Sequence, residues 1–127
     1  MQHQIVLDKV KKRLVEGARK RETVFYEDFL ADASYGVVEE QGKPNKLGTI
    51  LREISREEVL MGNPPLSAIC VLKKEGTPGP EFRSFMDPAE QLNEQQLNAM
   101  WQFIRDAVFD YYEKKESSKI TKFRRYL

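Results

Sequence analysis

Residues 45–61 read NKLGTILREISREEVLM and run directly into GNPPLSAICVLKKEGTPGPEFRSF at 62–85. Leu47, Ile50, Leu51 and Ile54, followed by Val59 and Leu60, recur at helical spacing. Asn45, Lys46, Thr49, Arg52, Glu53 and Arg56 fill the opposite side, so 45–61 is expected to form an amphipathic helix. Gly62-Asn63-Pro64-Pro65 supplies a stop signal, because glycine accepts the left-handed backbone that closes a helix and the prolines cannot continue it. The compact apolar run at 66–72 suits a buried strand, 73–80 reads as a turn, and 81–85 alternates in character. Together they read as a β-hairpin with a Gly/Pro-rich tip.

Upstream, Ile5, Val6, Val10, Leu14, Val15 and Ala18 share one helical stripe, with Lys9, Lys11, Lys12, Arg13 and Lys20 over much of the remainder. Thr23 to Tyr26 is a short β-prone run, 27–33 reads as a helix with Phe29, Leu30 and Ala33 inward, and 34–44 reads as an exposed loop. Downstream, Asp87-Pro88 and an Asn93/Gln96 capping box introduce a long helix over about 94–115. Its core stripe is expected to include Leu97, Met100, Trp101, Ile104, Val108, Tyr111 and Tyr112. Phe103 and one of the two tyrosines fall off that stripe and point to a second buried surface, a dimer or partner contact.

The order helix, short strand, helix, loop, helix, hairpin, long helix defines the expected fold. It is α+β and helix-rich, a winged helix-turn-helix-like domain with an N-terminal helix, a β-hairpin wing and a long C-terminal helix. Residues 1–116 form the single domain and 117–127 a basic C-terminal tail.

Composition excludes several classes. The chain of 127 residues has one Cys and one His, so a disulfide framework within it, a Cys-rich zinc site, a His-based metal cluster and a Ser-His-Asp triad all lack material. No cofactor, metal or enzymatic activity is expected, since no nucleophile and base can be paired. Glu39-Glu40 and Glu57-Glu58 are neighbours in sequence only and are expected to be solvated surface. No apolar run approaches the roughly 18 residues of a membrane span and no signal peptide is recognisable, so a cytoplasmic protein without membrane contact is expected.

The net charge of +1 conceals strong segregation. Residues 1–21 carry seven basic and two acidic groups, 22–66 four and nine, 67–86 three and two, 87–112 one and five, and 113–127 six and two. The basic ends read either as solvated faces or as arms that meet phosphate or an acidic protein surface. The tail Lys119 to Leu127 interleaves basic and aromatic residues, a pattern able to grip phosphates or dock in an acidic groove.

The blocks Thr23-Val24-Phe25-Tyr26-Glu27-Asp28-Phe29-Leu30-Ala31, Lys46-Leu47-Gly48 and Gly62-Asn63-Pro64, with the apolar strand and Gly-rich hairpin after them, carry a resemblance over roughly 23–85. The chain resembles the C-terminal winged-helix domain of the methylated-DNA cysteine alkyltransferases and of their inactive alkyltransferase-like relatives. It is more closely similar to a group of small bacterial proteins with an LG-x-IL-x-x-I helix, a P-x-LSA strand and a K-x-x-G-x-PG-x-x-F hairpin. The resemblance implies DNA binding, with Tyr26 at the position that presses on a nucleotide's phosphate and Asn45 where the family has the Arg that replaces a flipped base. The family's reactive Pro-Cys-His-Arg block is missing: Cys70 lies in Ile69-Cys70-Val71-Leu72, the setting of a core thiol rather than a nucleophile.

Two functions follow as expectations. The first is a non-catalytic DNA-binding protein that contacts duplex backbone and groove through Tyr26, Asn45, Lys46, Thr49, Arg52, Arg56, Lys73, Lys74, Lys122, Arg124 and Arg125. The second is a protein-interaction module or small subunit of a bacterial complex, which uses the acidic centre and C-terminal helix to hold a partner or a second copy. The balance of Lys46, Arg52 and Arg56 against Glu53, Glu57 and Glu58 on the candidate reading helix is unusually acidic for a groove reader.

Overall fold

The computed structural model describes residues 2–37 and 46–124, the side chains of 116–124 excepted. Its elements are α1 (Gln2–Arg19), β1 (Val24–Phe25), α2 (Tyr26–Ala31), α3 (Lys46–Leu60), β2 (Cys70–Val71), α4 (Pro80–Met86) and α5 (Glu94–Arg124), with short 3-10 turns at Ala33–Tyr35 and Leu66–Ile69. The chain is therefore a helix-rich α+β protein with an N-terminal helix and a long C-terminal one. α1 packs against α3, α5 and the Leu66–Ile69 turn. Val10, Leu14, Phe29, Leu47, Leu51, Ile54, Ile69, Phe82, Trp101 and Val108 belong to one continuous core.

Local chemistry accounts for the helix ends. At the end of α3, Gly62 takes a left-handed φ of 81°. That turn sends the Asn63 N–H back to the Glu58 carbonyl at 2.9 Å and the Gly62 N–H to the Val59 carbonyl at 3.0 Å. α1 closes the same way through Arg21, whose φ of 57° is unusual for a residue with a side chain. The Asn93/Gln96 capping box forms as expected: the Asn93 side chain accepts from the Gln96 N–H at 2.8 Å and Gln96 returns the bond to the Asn93 N–H at 3.0 Å. The α5 backbone continues past Lys115 to Arg124, so the expected tail is helical over the residues described.

The expected hairpin is not present. Leu66–Ile69 forms a 3-10 turn buried on all its residues, β2 is only two residues long, and it pairs in parallel with β1 through Val24–Cys70 and Phe25–Val71. The segment expected as the second strand is α4. Pro80 at its first position has the φ that helices require and no N–H to leave orphaned, and Phe82 and Phe85, three apart, stack at 5.8 Å on one side. The β-hairpin wing is thereby replaced by a turn and a helix.

Candidate functional site

Three regions hold the candidate functional groups. The first is the outer face of α3. Lys46, Thr49, Arg52 and Arg56 are all exposed along it, while Leu47, Ile50, Leu51 and Ile54 turn into the core, so the sequence places these four correctly. The N-terminus of α4 stands beside this face, where Gly48, Thr49, Arg52, Pro80 and Glu81 border a shallow cleft. Burial pushes the Glu81 carboxyl up from its ordinary range, and the Arg52 charge pulls the other way.

The other expected DNA contacts among the described residues have different settings. Tyr26 is 8% exposed and belongs to the core. Lys73 is held at the end of the strand pair: its N–H donates to the Glu27 carboxylate at 3.1 Å and its Nζ pairs with Asp28 at 2.9 Å. Lys74 is exposed in the turn after β2. Asn45 and Arg125 lie outside the described residues, as do the side chains of Lys122 and Arg124.

The second region is a buried polar knot that ties α1, α3 and α5 together. Glu58 is 2% exposed, so of the pair expected as solvated surface only Glu57 is exposed, while Glu39 and Glu40 lie outside the described residues. Its carboxylate accepts from Lys11 Nζ at 2.7 Å, from Asn63 Nδ2 at 2.9 Å and from the Tyr112 hydroxyl at 3.2 Å. Burial pushes its pKa up, but the Lys11 ammonium and the two other donors outweigh that effect and hold it below the usual carboxylate value. Tyr112 is raised well above the ordinary phenol range, first by burial and then by the Glu58 charge. Nearby, the Ser67 N–H donates to Ser55 Oγ at 2.9 Å and the two hydroxyls share a further hydrogen bond. These groups are fully engaged with one another, as a structural tie requires.

Ion pairs also join the segregated charges within the fold. Arg21 bonds Asp110 and Glu113 at 2.8 Å each and lies over the Phe109 ring, and His3 shares a hydrogen bond with Glu53. Cations of the basic N-terminal segment thus face acids of both acidic segments.

The third region is the solvent side of α5. Phe103 is 77% exposed and Met100, one turn earlier, 37%. Ala99 and Ala107 flank them at helical spacing. Phe103 was expected off the main stripe, and it is. Of the two tyrosines, Tyr112 is buried and Tyr111 half-buried against it, edge to face, so neither joins Phe103. Met100 was expected in the core; it is exposed instead, because it lies at the solvent border of the apolar stripe. Another apolar exposure, unforeseen, is the tip of α3, where Val59, Leu60 and Met61 project beyond the packed part of the helix.

Cys70 is buried in β2, its thiol raised well above the ordinary value by burial and then by the nearby carboxylates of Glu81 and Glu27. Among the described residues no cluster of His, Cys, Asp and Glu could hold a metal ion, and no helix is long and apolar enough to cross a membrane. No protein-family model matches the chain, and no curated protein or solved structure is significantly similar to it.

Proposed function

We propose that the chain is a non-catalytic protein-interaction module that packs the outer face of α5 against an apolar helix of its partner, a second copy of the chain in the simplest case. The observation that carries this reading is the exposure of Phe103 beside Met100. A phenylalanine left in water in the middle of a long helix forgoes about 2 kcal/mol of burial, and large aromatics are the side chains that anchor interfaces. Ala99 and Ala107 on either side allow another helix to approach closely. Internal pairing of the basic segment with acids supports the same reading, because it leaves fewer cations for phosphate.

Light scattering on the purified chain and on Phe103→Asp tests this. The expected result is a dimer for the parent and a monomer of unchanged helicity for the variant. A parent that stays monomeric and forms no cross-link through an α5 cysteine probe to any protein of its native host refutes it.

A second reading rests on the exposed α3 face. Here Lys46, Thr49, Arg52 and Arg56 contact duplex DNA, with α3 in the role of the reading helix of a helix-turn-helix-like unit and no hairpin wing beside it. Affinity for a fluorescent duplex then falls by orders of magnitude between roughly 50 and 200 mM salt, and Arg52→Ala/Arg56→Ala shallows that slope. Absence of binding at low salt removes this reading.

A further inference from the structure

A cavity of about 380 Å³ opens between the turn at Thr77 and Pro78, the outer side of α4 and the first turns of α5. Its walls are Pro78, Met86, Leu97 and Trp101, with Asn98 and Thr77 as polar edges. The volume falls within the range of about 300 to 1,000 Å³ over which small-molecule pockets occur. Trp101 is locked in place, since its Nε1–H donates to the Ala68 carbonyl at 2.8 Å and Arg105 lies 5.0 Å from the centre of its ring. The apolar wall is therefore built in advance rather than assembled by a ligand.

Two charged side chains line the opening, Arg83 from α4 and Glu94 from α5, and they pair with each other. Both are well exposed, Glu94 to 81% of its side chain, and an ion pair between solvated side chains holds weakly. Glu94 can swing out without disturbing the core, whereas the guanidinium it leaves offers a planar, two-pronged donor at the rim of an apolar hole.

The geometry points to this cavity as a binding site for a small amphipathic carboxylic acid, whose apolar body lies against Trp101, Leu97 and Met86 while its carboxylate takes the place of Glu94 on Arg83. Glu94 then acts as a built-in competitor that the ligand's carboxylate displaces. The site is separate from both α3 and the Phe103 stripe, so it stands or falls independently of the interaction proposed above.

Three probes of matched shape test the charge requirement: 4-phenylbutyrate, the neutral 4-phenylbutan-1-ol and the cationic 4-phenylbutylamine. The chain has one Trp, so the Trp101 emission and its single indole N–H resonance both report on the cavity. Saturable shifts with the acid, about tenfold weaker binding of the alcohol and weaker still of the amine are expected, the ratio being that of one lost charge-assisted hydrogen bond. Arg83→Gln should weaken the acid about tenfold and leave the alcohol unchanged, whereas Glu94→Gln should tighten the acid several-fold. The opposite signs of the two variants exclude a general loosening of the fold, and Arg83→Lys, which keeps the charge but not the fork, should fall between Arg83→Gln and the parent. Preference for the amine, equal binding of acid and alcohol, loss of acid binding in Glu94→Gln, or no effect of millimolar acid on either Trp101 signal would overturn the assignment.

Discussion

Replacing Lys11 by Met removes the cation that pairs with Glu58 and leaves a carboxylate facing the core. Breaking a fully buried pair by deleting one partner costs about 3 to 5 kcal/mol. Two features reduce that here: the Lys11 side chain is 32% exposed, so water reaches part of the site, and Asn63 and Tyr112 continue to donate. A loss of about 2 to 3 kcal/mol remains, a large share of the roughly 5 to 15 kcal/mol that stabilises a domain. At about 4 °C per kcal/mol for this size, the melting temperature drops by about 8 to 12 °C.

The sharper test is a second substitution. Glu58→Gln in the Lys11→Met background removes the stranded charge while keeping an oxygen for Asn63 and Tyr112, so the double variant should be more stable than Lys11→Met alone. Urea unfolding at pH 7, followed by far-UV circular dichroism and Trp101 fluorescence, measures all members of the cycle. The pH dependence has a definite sign. In the parent the Glu58 pKa is depressed below its ordinary 4.5, so its contribution is full above that value and disappears as pH falls through the lower folded value. In Lys11→Met burial dominates and the carboxyl prefers to be protonated, so acidification should narrow the gap between variant and parent. If Glu58→Gln destabilises Lys11→Met further, or Lys11→Met costs less than about 0.5 kcal/mol, Glu58 is not a desolvated charge and the argument fails.

Glu81 has the opposite sign. Its raised pKa favours the protonated form in the fold, so that contribution is full below 4.5 and is lost as pH rises through the folded value, and Glu81→Gln should gain about 0.5 kcal/mol at pH 7 in a thermal melt and nothing at low pH. Tyr112, also raised, should cost stability as pH climbs above its ordinary value of 10, an alkaline loss that Tyr112→Phe abolishes in urea titrations between pH 9 and 11. Gly17→Ala should destabilise by about 1 to 3 kcal/mol despite alanine's helix propensity, because the added Cβ would lie 2.7 Å from Val24 Cγ2 and 3.0 Å from the Glu22 carbonyl oxygen; a stabilised variant would show that β1 can retreat. The Cys70 thiol should resist a chromogenic disulfide reagent in the native state and react fully in denaturant, and fast native labelling would contradict its burial.

What the sequence discloses of this fold depends on how local the governing interaction is. The α3 stop at Gly62 and the Asn93/Gln96 box are complete within a few residues, and both form where the residue types require them. The strand at β1 was legible as a β-prone run, but its partner was not, because parallel pairing with Cys70 and Val71 joins segments far apart in the chain. The apolar run at 66–72 looked like a strand for the reason any buried segment does: complete burial erases the periodicity that separates strand from helix. A signal for α4 was present in Pro80 followed by Phe82 and Phe85 at helical spacing, outweighed in the reading by the alternation of Glu81, Phe82 and Arg83.

The candidate sites divide along the same line. The α3 face and the exposure of Phe103 follow from one helix's own periodicity, so they were legible. Glu58 and Lys11 were not, since each sits among charged neighbours and only the approach of α1 to α3 draws Lys11 over the Glu58 carboxylate. The same packing changes the meaning of the charge blocks. A basic N-terminal segment invites a reading in terms of phosphate, yet Lys11 meets the buried Glu58 and Arg21 meets Asp110 and Glu113 on the surface of the same chain. Exposed pairs such as those of Arg21 contribute little energy, but they occupy cations that would otherwise neutralise phosphates and release the counterions condensed on nucleic acid. Removing the acids therefore discriminates between the two functional readings. Asp110→Asn/Glu113→Gln uncovers Arg21 without touching α3 or Phe103: on the interaction reading the parent shows no duplex affinity at low salt and the variant keeps its oligomeric state, whereas on the DNA reading the parent already binds and the variant binds more tightly with a steeper salt slope.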